Sequence, residues 1–122
     1  MTQNTKITIL FLAWLVGLLL FAVIILINID DTEKATVDKV IDGDTLVADG
    51  QYIRLADVDT PEKGEAGYQE AKNYMMNYLG KEVKLNCRGK GHYNRHLCEV
   101  YYNGKQINQE LLDKDLAELY NK

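Results

Sequence analysis

The ten residues "IRLADVDTPE" (53–62) hold one guanidinium and three carboxylates, Arg54, Asp57, Asp59 and Glu62, around a Thr-Pro break. Another carboxylate, Asp44, stands in "VIDGDTL" (40–46), and the loop "RGKGHYNR" (88–95) adds Arg88, Lys90 and Arg95. Carboxylates and carbonyls are hard oxygen donors, so a cation gathered here would be Ca²⁺ or Mg²⁺. Zinc is disfavoured, because the 2 cysteines and 2 histidines (His92 and His96) lack a ligand-like arrangement. The donors must come from separate segments. Counted from Asp42 as an EF-hand, the fifth and twelfth positions are Leu46 and Ile53, where oxygen ligands are required. Each piece alone also has an ordinary reading: Asp-Gly as a turn, Arg54 as an exposed strand residue, and the basic loop as a solvated hairpin tip.

The surrounding elements read as a small β-rich domain. "TVDKVIDGDTLVADGQYIRLADV" is consistent with three strands, marked by Val37, Val40 and Ile41, then Thr45 to Ala48, then Tyr52 to Val58. Asp49-Gly50 suits a two-residue hairpin, in which both central residues need positive φ. Pro61 ends the third strand, since it has no N–H for a ladder. From about Glu65 to Leu79 the apolar residues take helical spacing, with Gly80 as the residue that closes the helix. "KEVKLNC" (81–87) and "HLCEVYY" (96–102) read as two more strands, followed by an Asn103-Gly104 turn and a second helix from Ile107 to about Leu119. The order β-β-β-α-β-β-α predicts an α+β fold, mainly β, with five short antiparallel strands closed into an OB-type barrel and two packed helices. Strict alternation sets Arg54 and Asp59 on opposite faces of a strand, so a shared site requires a bend near Asp57 and Val58. Asp57 is then expected to support the site from outside or simply to be exposed.

Ahead of this domain, Ile7 to Ile29 is a run of 23 residues without a charge. At about 1.5 Å per residue it reaches roughly 34 Å, enough for a hydrocarbon core. It exceeds the apolar stretch of an ordinary signal peptide and lacks a small-residue cleavage site, so it is expected to remain as one transmembrane helix in the bilayer. Lys6 before the span and Lys34 and Lys39 after it do not decide orientation; a short tail inside and an exported remainder is the expectation. The chain is thus divided into a tail (1–6), an anchor (7–29), a linker (30–35) and a domain (36–122). Lys6 is the one basic residue before Asp30, and all 18 acidic residues follow it, so the part after the span carries −5 against −4 for the whole chain. Such a domain is a poor general adhesive for phosphate backbones. Cys87 and Cys98 fit either a disulfide in an exported domain or two small buried hydrophobes on neighbouring strands.

Taken together, "VIDGDTL", "IRLADVDTPE", "YNRHL" (93–97) and "INQELLDKDLA" (107–117) resemble the thermonuclease, or staphylococcal nuclease-like, family over nearly all of residues 36–119. The resemblance implies an OB barrel and assigns roles by position. Asp44, Asp59 and the Thr60 carbonyl would hold Ca²⁺, Glu62 would orient or deprotonate the attacking water, and Arg54 and Arg95 would contact the scissile phosphate. The chain departs from the family pattern at Gly91 and Asn94 in the loop before Arg95 and at Asp115 after the second helix, and it stops at Lys122 before the family's third helix and base-contacting tyrosines. Asn94 and Asp115 both tolerate positive φ.

The implied function is a membrane-anchored, outward-facing, Ca²⁺-dependent nuclease. It would cleave DNA and RNA, single strands preferentially, with low sequence selectivity, as a monomer, leaving 3′-phosphate ends. The alternative is a catalytically inactive OB-fold nucleic-acid-binding module.

Overall fold

The computed structural model of the chain describes residues 2–28 and 31–120. The chain divides into two compact units, Met1–Asp31 and Thr32–Lys122. The described residues of the first carry one helix, α1 (Gln3–Ile27), whose N-terminus is capped by the Thr2 hydroxyl accepting the Thr5 N–H at 3.4 Å. None of its residues is buried, and it is long and apolar enough to cross a membrane, as an anchor or a signal sequence would be. The helix begins a turn before the expected span at Ile7; Ile29, the last residue of that span, lies outside the described residues.

The second unit contains β1 (Glu33–Asp42), β2 (Thr45–Ala48), β3 (Gln51–Leu55), β4 (Val58–Asp59), α2 (Tyr68–Met76), β5 (Glu82–Lys90), β6 (His96–Tyr102), β7 (Lys105–Gln106), α3 (Ile107–Asp113) and β8 (Glu118–Leu119). Strand β1 is long enough to serve two partners, pairing with β5 through Glu33–Thr36 and with β2 from Val37 to Asp42. Register shifts near Lys39 and Ile41 let it curve between them. The ring β1-β2-β3-β6-β5 closes where β3 meets β6, Ile53 opposite His96 and Leu55 opposite Cys98. This closing pair is parallel, so the expectation of a wholly antiparallel barrel is corrected there. Closure leaves no free edge among the five long strands.

Inward-facing residues fill the interior: Val37 and, past the register shift, Val40 from β1, Leu46 from β2, Ile53 and Leu55 from β3, Val83 and Leu85 from β5, and Val100 from β6. Met75 of α2 and Ile107 and Leu111 of α3 pack against the same core. Buried Asn108 ties α3 to the barrel. Its Oδ1 accepts the Val100 N–H at 3.0 Å, and its Nδ2 donates to the carbonyls of Ala56 and Cys98 at 3.0 and 3.1 Å. A disulfide joins Cys87 to the buried Cys98 at opposed positions of β5 and β6, which decides between the two readings of the cysteines.

Several boundaries differ from those read in the sequence. The expected linker 30–35 is shortened because β1 begins at Glu33, and α2 starts at Tyr68 rather than Glu65. The third strand stops at Leu55, not Val58. The second helix ends at Asp113, not Leu119: Asp115 turns to φ 56, its N–H donates to the Leu112 carbonyl at 3.1 Å, and the Leu116 N–H donates to the Leu111 carbonyl at 2.9 Å. These are the two bonds of a Schellman closure. Leu116 continued the helical spacing only because the residue after such a closure packs back on the core. The chain then returns as β8, antiparallel to β4, with Val58 opposite Leu119 and Asp59 opposite Glu118.

Candidate active site

The site grows from the end of β3. The Ala56 N–H donates to the Cys98 carbonyl at 2.8 Å, and Asp57 adopts φ 64, so the chain turns sharply before β4. Arg54 spans this turn from within. Its Nη1 donates to the carbonyls of Leu55 and Val58, each at 2.7 Å, while Nη2 reaches Asp59 Oδ1 at 3.1 Å and lies 3.4 Å from Asp44 Oδ2. The expected bend is therefore present, and it brings Arg54 and Asp59 together despite their odd separation.

Asp44 is buried at the β1–β2 turn. Its Oδ2 accepts the Thr60 N–H at 3.0 Å and its Oδ1 accepts the Thr45 hydroxyl at 3.1 Å. The Thr45 oxygen in turn accepts from Arg95 Nη1 at 3.2 Å. Tyr93 and Asn94, at φ 59 and 61, reverse the chain so that Arg95 points back, and Arg95 Nε donates to the His92 carbonyl at 3.0 Å. Thr45 thus orients Arg95 toward Asp44, a role that turn statistics could not reveal. Gly43 was read as a turn residue. The tighter constraint on it is packing, since a Cβ there would stand 2.7 Å from Ala71 Cβ and 2.8 Å from Thr60 Oγ1.

A cavity of about 710 Å³ opens over these groups, lined among others by Asp44, Arg54, Asp59, Glu62, Arg95 and Tyr120. Glu62 is exposed at its border. Its backbone is fixed by a reciprocal pair: its N–H donates to Glu65 Oε1 at 3.0 Å, and its carbonyl accepts the Glu65 N–H at 2.9 Å. Thr60 is buried, and its hydroxyl has no hydrogen-bond partner among the described residues. The basic loop divides. Lys90 and Arg95 line the cavity, whereas Arg88 pairs with the exposed Asp57 carboxylate, so Arg88 does not belong to the positive group expected there. That pair also accounts for Asp57. Tyr120 was not assigned from sequence; its N–H donates to the Asp57 carbonyl at 2.9 Å and its ring centre lies 5.9 Å from the Arg54 guanidinium carbon.

Burial first, and then the neighbouring Asp44 charge, push the Asp59 carboxyl above its ordinary value, against the opposing pull of Arg54. Two carboxylates within reach of one guanidinium nitrogen form a hard-oxygen donor set with excess negative charge, which fits a hard divalent cation. Among the described residues no three acidic, histidine or cysteine side chains gather at one point, so any further ligands must be carbonyls or water.

The family model described as "Staphylococcal nuclease homologue" matches residues 52–122, more than half of the chain. A protein of Haemophilus influenzae named "Uncharacterized endonuclease" is 38% identical over 96 residues, a match covering 72% of this chain and 54% of that protein. The chain therefore spans about half the length of this curated relative. The family match includes Arg54, Asp59, Glu62 and Arg95, and the closed barrel that carries them is the architecture read from the same motifs. The chain belongs to the staphylococcal nuclease homologue family.

Proposed function

We propose that the chain is a Ca²⁺-dependent nuclease that hydrolyses phosphodiester bonds of DNA and RNA. One observation carries this reading: Arg54 and Arg95 converge with Asp44 and Asp59 on a single cavity bordered by Glu62. Guanidinium groups offer paired donors to phosphate oxygens, and charge accumulates on those oxygens as water attacks. Arg95 is already aimed by Thr45, and Arg54 by the carbonyls of Leu55 and Val58. Glu62 accepts the proton of the attacking water, or holds that water for attack.

Asp44, Asp59 and the Thr60 carbonyl are the residues that would hold Ca²⁺. When bound, the cation supplies charge neutralisation for the phosphate and acidifies its bound water. No base-reading contact is required, so selectivity is low and single strands, whose backbone reaches the cavity more readily, are preferred. By family resemblance the products carry 3′-phosphates. Helix α1 suits an anchor that leaves this domain, as a monomer, outside the cytoplasm.

The test is cleavage of single-stranded DNA by the full chain in detergent, with Ca²⁺ and with chelator. Metal-dependent cleavage yielding 3′-phosphate ends is expected, and Glu62→Gln should reduce turnover at least about a hundredfold. A folded sample that cleaves nothing in Ca²⁺ overturns the proposal.

A further inference from the structure

Beside the main cavity lies a second pocket of about 280 Å³, lined by Ile41, Asp42, Thr45, Tyr52, Tyr93 and Arg95. It shares Asp42, Tyr93 and Arg95 with the main cavity, so the two are continuous around the Arg95 side chain. Two of its walls are aromatic and open to solvent: Tyr52 is 54% exposed and Tyr93 is 92% exposed. Tyr52 sits on β3 two residues before Arg54, on a barrel strand that cannot readily move. Tyr93 is held out by left-handed backbone at φ 59, and the Arg95 guanidinium carbon lies 5.6 Å from its ring centre.

We infer that this pocket is a nucleobase subsite, taking the base of a nucleotide next to the phosphate gripped by Arg95, with Tyr52 and Tyr93 as its stacking surfaces. The inference rests on the nuclease reading of the adjoining cavity and adds a contact that reading does not need. Three features favour a base over another phosphate. Aromatic faces stack on any base without reading its edge. Ile41 adds apolar surface. Asp42, whose Oδ1 accepts the Tyr68 hydroxyl at 3.0 Å, contributes negative charge that repels a second phosphate but not a neutral ring. The subsite also supplies a reason for single-strand preference, because a base held in a duplex cannot leave its stack without cost.

The experiment is fluorescence anisotropy with the full chain in detergent and Ca²⁺, using a short phosphorothioate oligothymidylate that resists hydrolysis and the same chain made abasic. The native protein should bind the base-bearing probe about fivefold to a hundredfold more tightly than the abasic one. Tyr52→Ala should reduce that ratio to near one, and Tyr52→Phe, which keeps the ring, should preserve it. Equal ratios in the native protein and Tyr52→Ala overturn the subsite, as does binding of neither probe. Cleavage is scored separately on ordinary single-stranded DNA, so a chain that discriminates bases but does not cut keeps the subsite and loses the nuclease reading.

Discussion

Arg54 and Asp59 stand five residues apart, yet Nη2 of one lies 3.1 Å from Oδ1 of the other. An unbroken strand would put them on opposite faces. The turn at Ala56 and Asp57 removes that parity, and Arg54 holds the turn by donating to the carbonyls on either side of it. One guanidinium therefore serves the fold of the loop and the electrostatics of the cavity together.

Arg54→Lys tests this double role. An ammonium has neither the planar fork nor the reach to hold two carbonyls and two carboxylates at once. The substitution should lower kcat/KM about a hundredfold or more and also lower the thermal midpoint of the metal-free protein. Asp44 would be left buried with its charge poorly paired, a situation that costs several kcal/mol when a partner is removed outright, about 3–5. A lysine variant with native activity and native melting would show that Arg54 acts only as a diffuse positive charge.

Gly43→Ala probes packing beneath the acidic pair. The added methyl would meet Ala71 Cβ at 2.7 Å and Thr60 Oγ1 at 2.8 Å, and neither is the loose end of a flexible side chain. Overpacking of this kind costs about 1–3 kcal/mol. Because the Thr60 N–H donates to Asp44, displacement of Thr60 should also weaken the rise in melting temperature that the proposed Ca²⁺ binding is expected to give the native chain. Differential scanning fluorimetry with and without Ca²⁺ reads both effects; an unchanged midpoint would mean that α2 yields without cost.

These contacts mark where sequence reading reaches its limit. The barrel strands were legible because apolar residues cluster at Val37, Val40 and Ile41, at Thr45 to Ala48, and on either side of Arg54 at Ile53 and Leu55, and Asp49-Gly50 names its own hairpin. Asp44, Asp59 and Arg95 were legible as motif positions, and the structure brings them to one cavity. What was not legible depends on partners distant in sequence. Spacing could not choose between the two readings of Cys87 and Cys98, because the choice depends on strand register. Leu116 kept helical periodicity while sitting past a Schellman closure, so the helix was read too long. Arg88 seemed part of a positive loop because its partner Asp57 is 31 positions away in the chain. Nothing in its spacing singles out Asn108, since only the assembled barrel offers it the Ala56 and Cys98 carbonyls.

The disulfide should matter for activity as well as stability. Cys87 and Cys98 flank the segment that carries Arg95, and the Cys98 carbonyl accepts the N–H of Ala56 at the site turn. Replacing both cysteines with serine should cost about 2–4 kcal/mol, the usual effect of releasing a loop of this size. It should also raise KM for single-stranded DNA, because Arg95 would sample more orientations. Reduction with dithiothreitol should reproduce both effects in the native chain. A reduced protein with unchanged KM would show that Arg95 is held by Thr45 and the His92 carbonyl alone.

Away from the cavity, Glu110 links α3 to α2. Its Oε2 accepts the hydroxyls of Tyr74 and, at 3.1 Å, Tyr78, while Lys114 lies over the Tyr74 ring. The Tyr74 hydrogen bond holds the Glu110 carboxyl below its ordinary value; burial and the bond to Glu110 push the Tyr74 hydroxyl well above its own. The signs fix the pH profile. A carboxylate depressed in the fold contributes stability above its unfolded value, and that contribution is lost as pH falls through the folded one. A tyrosine raised in the fold contributes below about pH 10, and its share fades as pH climbs beyond that. Native melting temperature should therefore decline on both flanks. Glu110→Gln should lower the midpoint at neutral pH, where it loses charge-assisted bonds worth about 1–3 kcal/mol, and should flatten the acid flank. If the variant follows the native curve in acid, the acid sensitivity belongs to carboxylates elsewhere in the barrel.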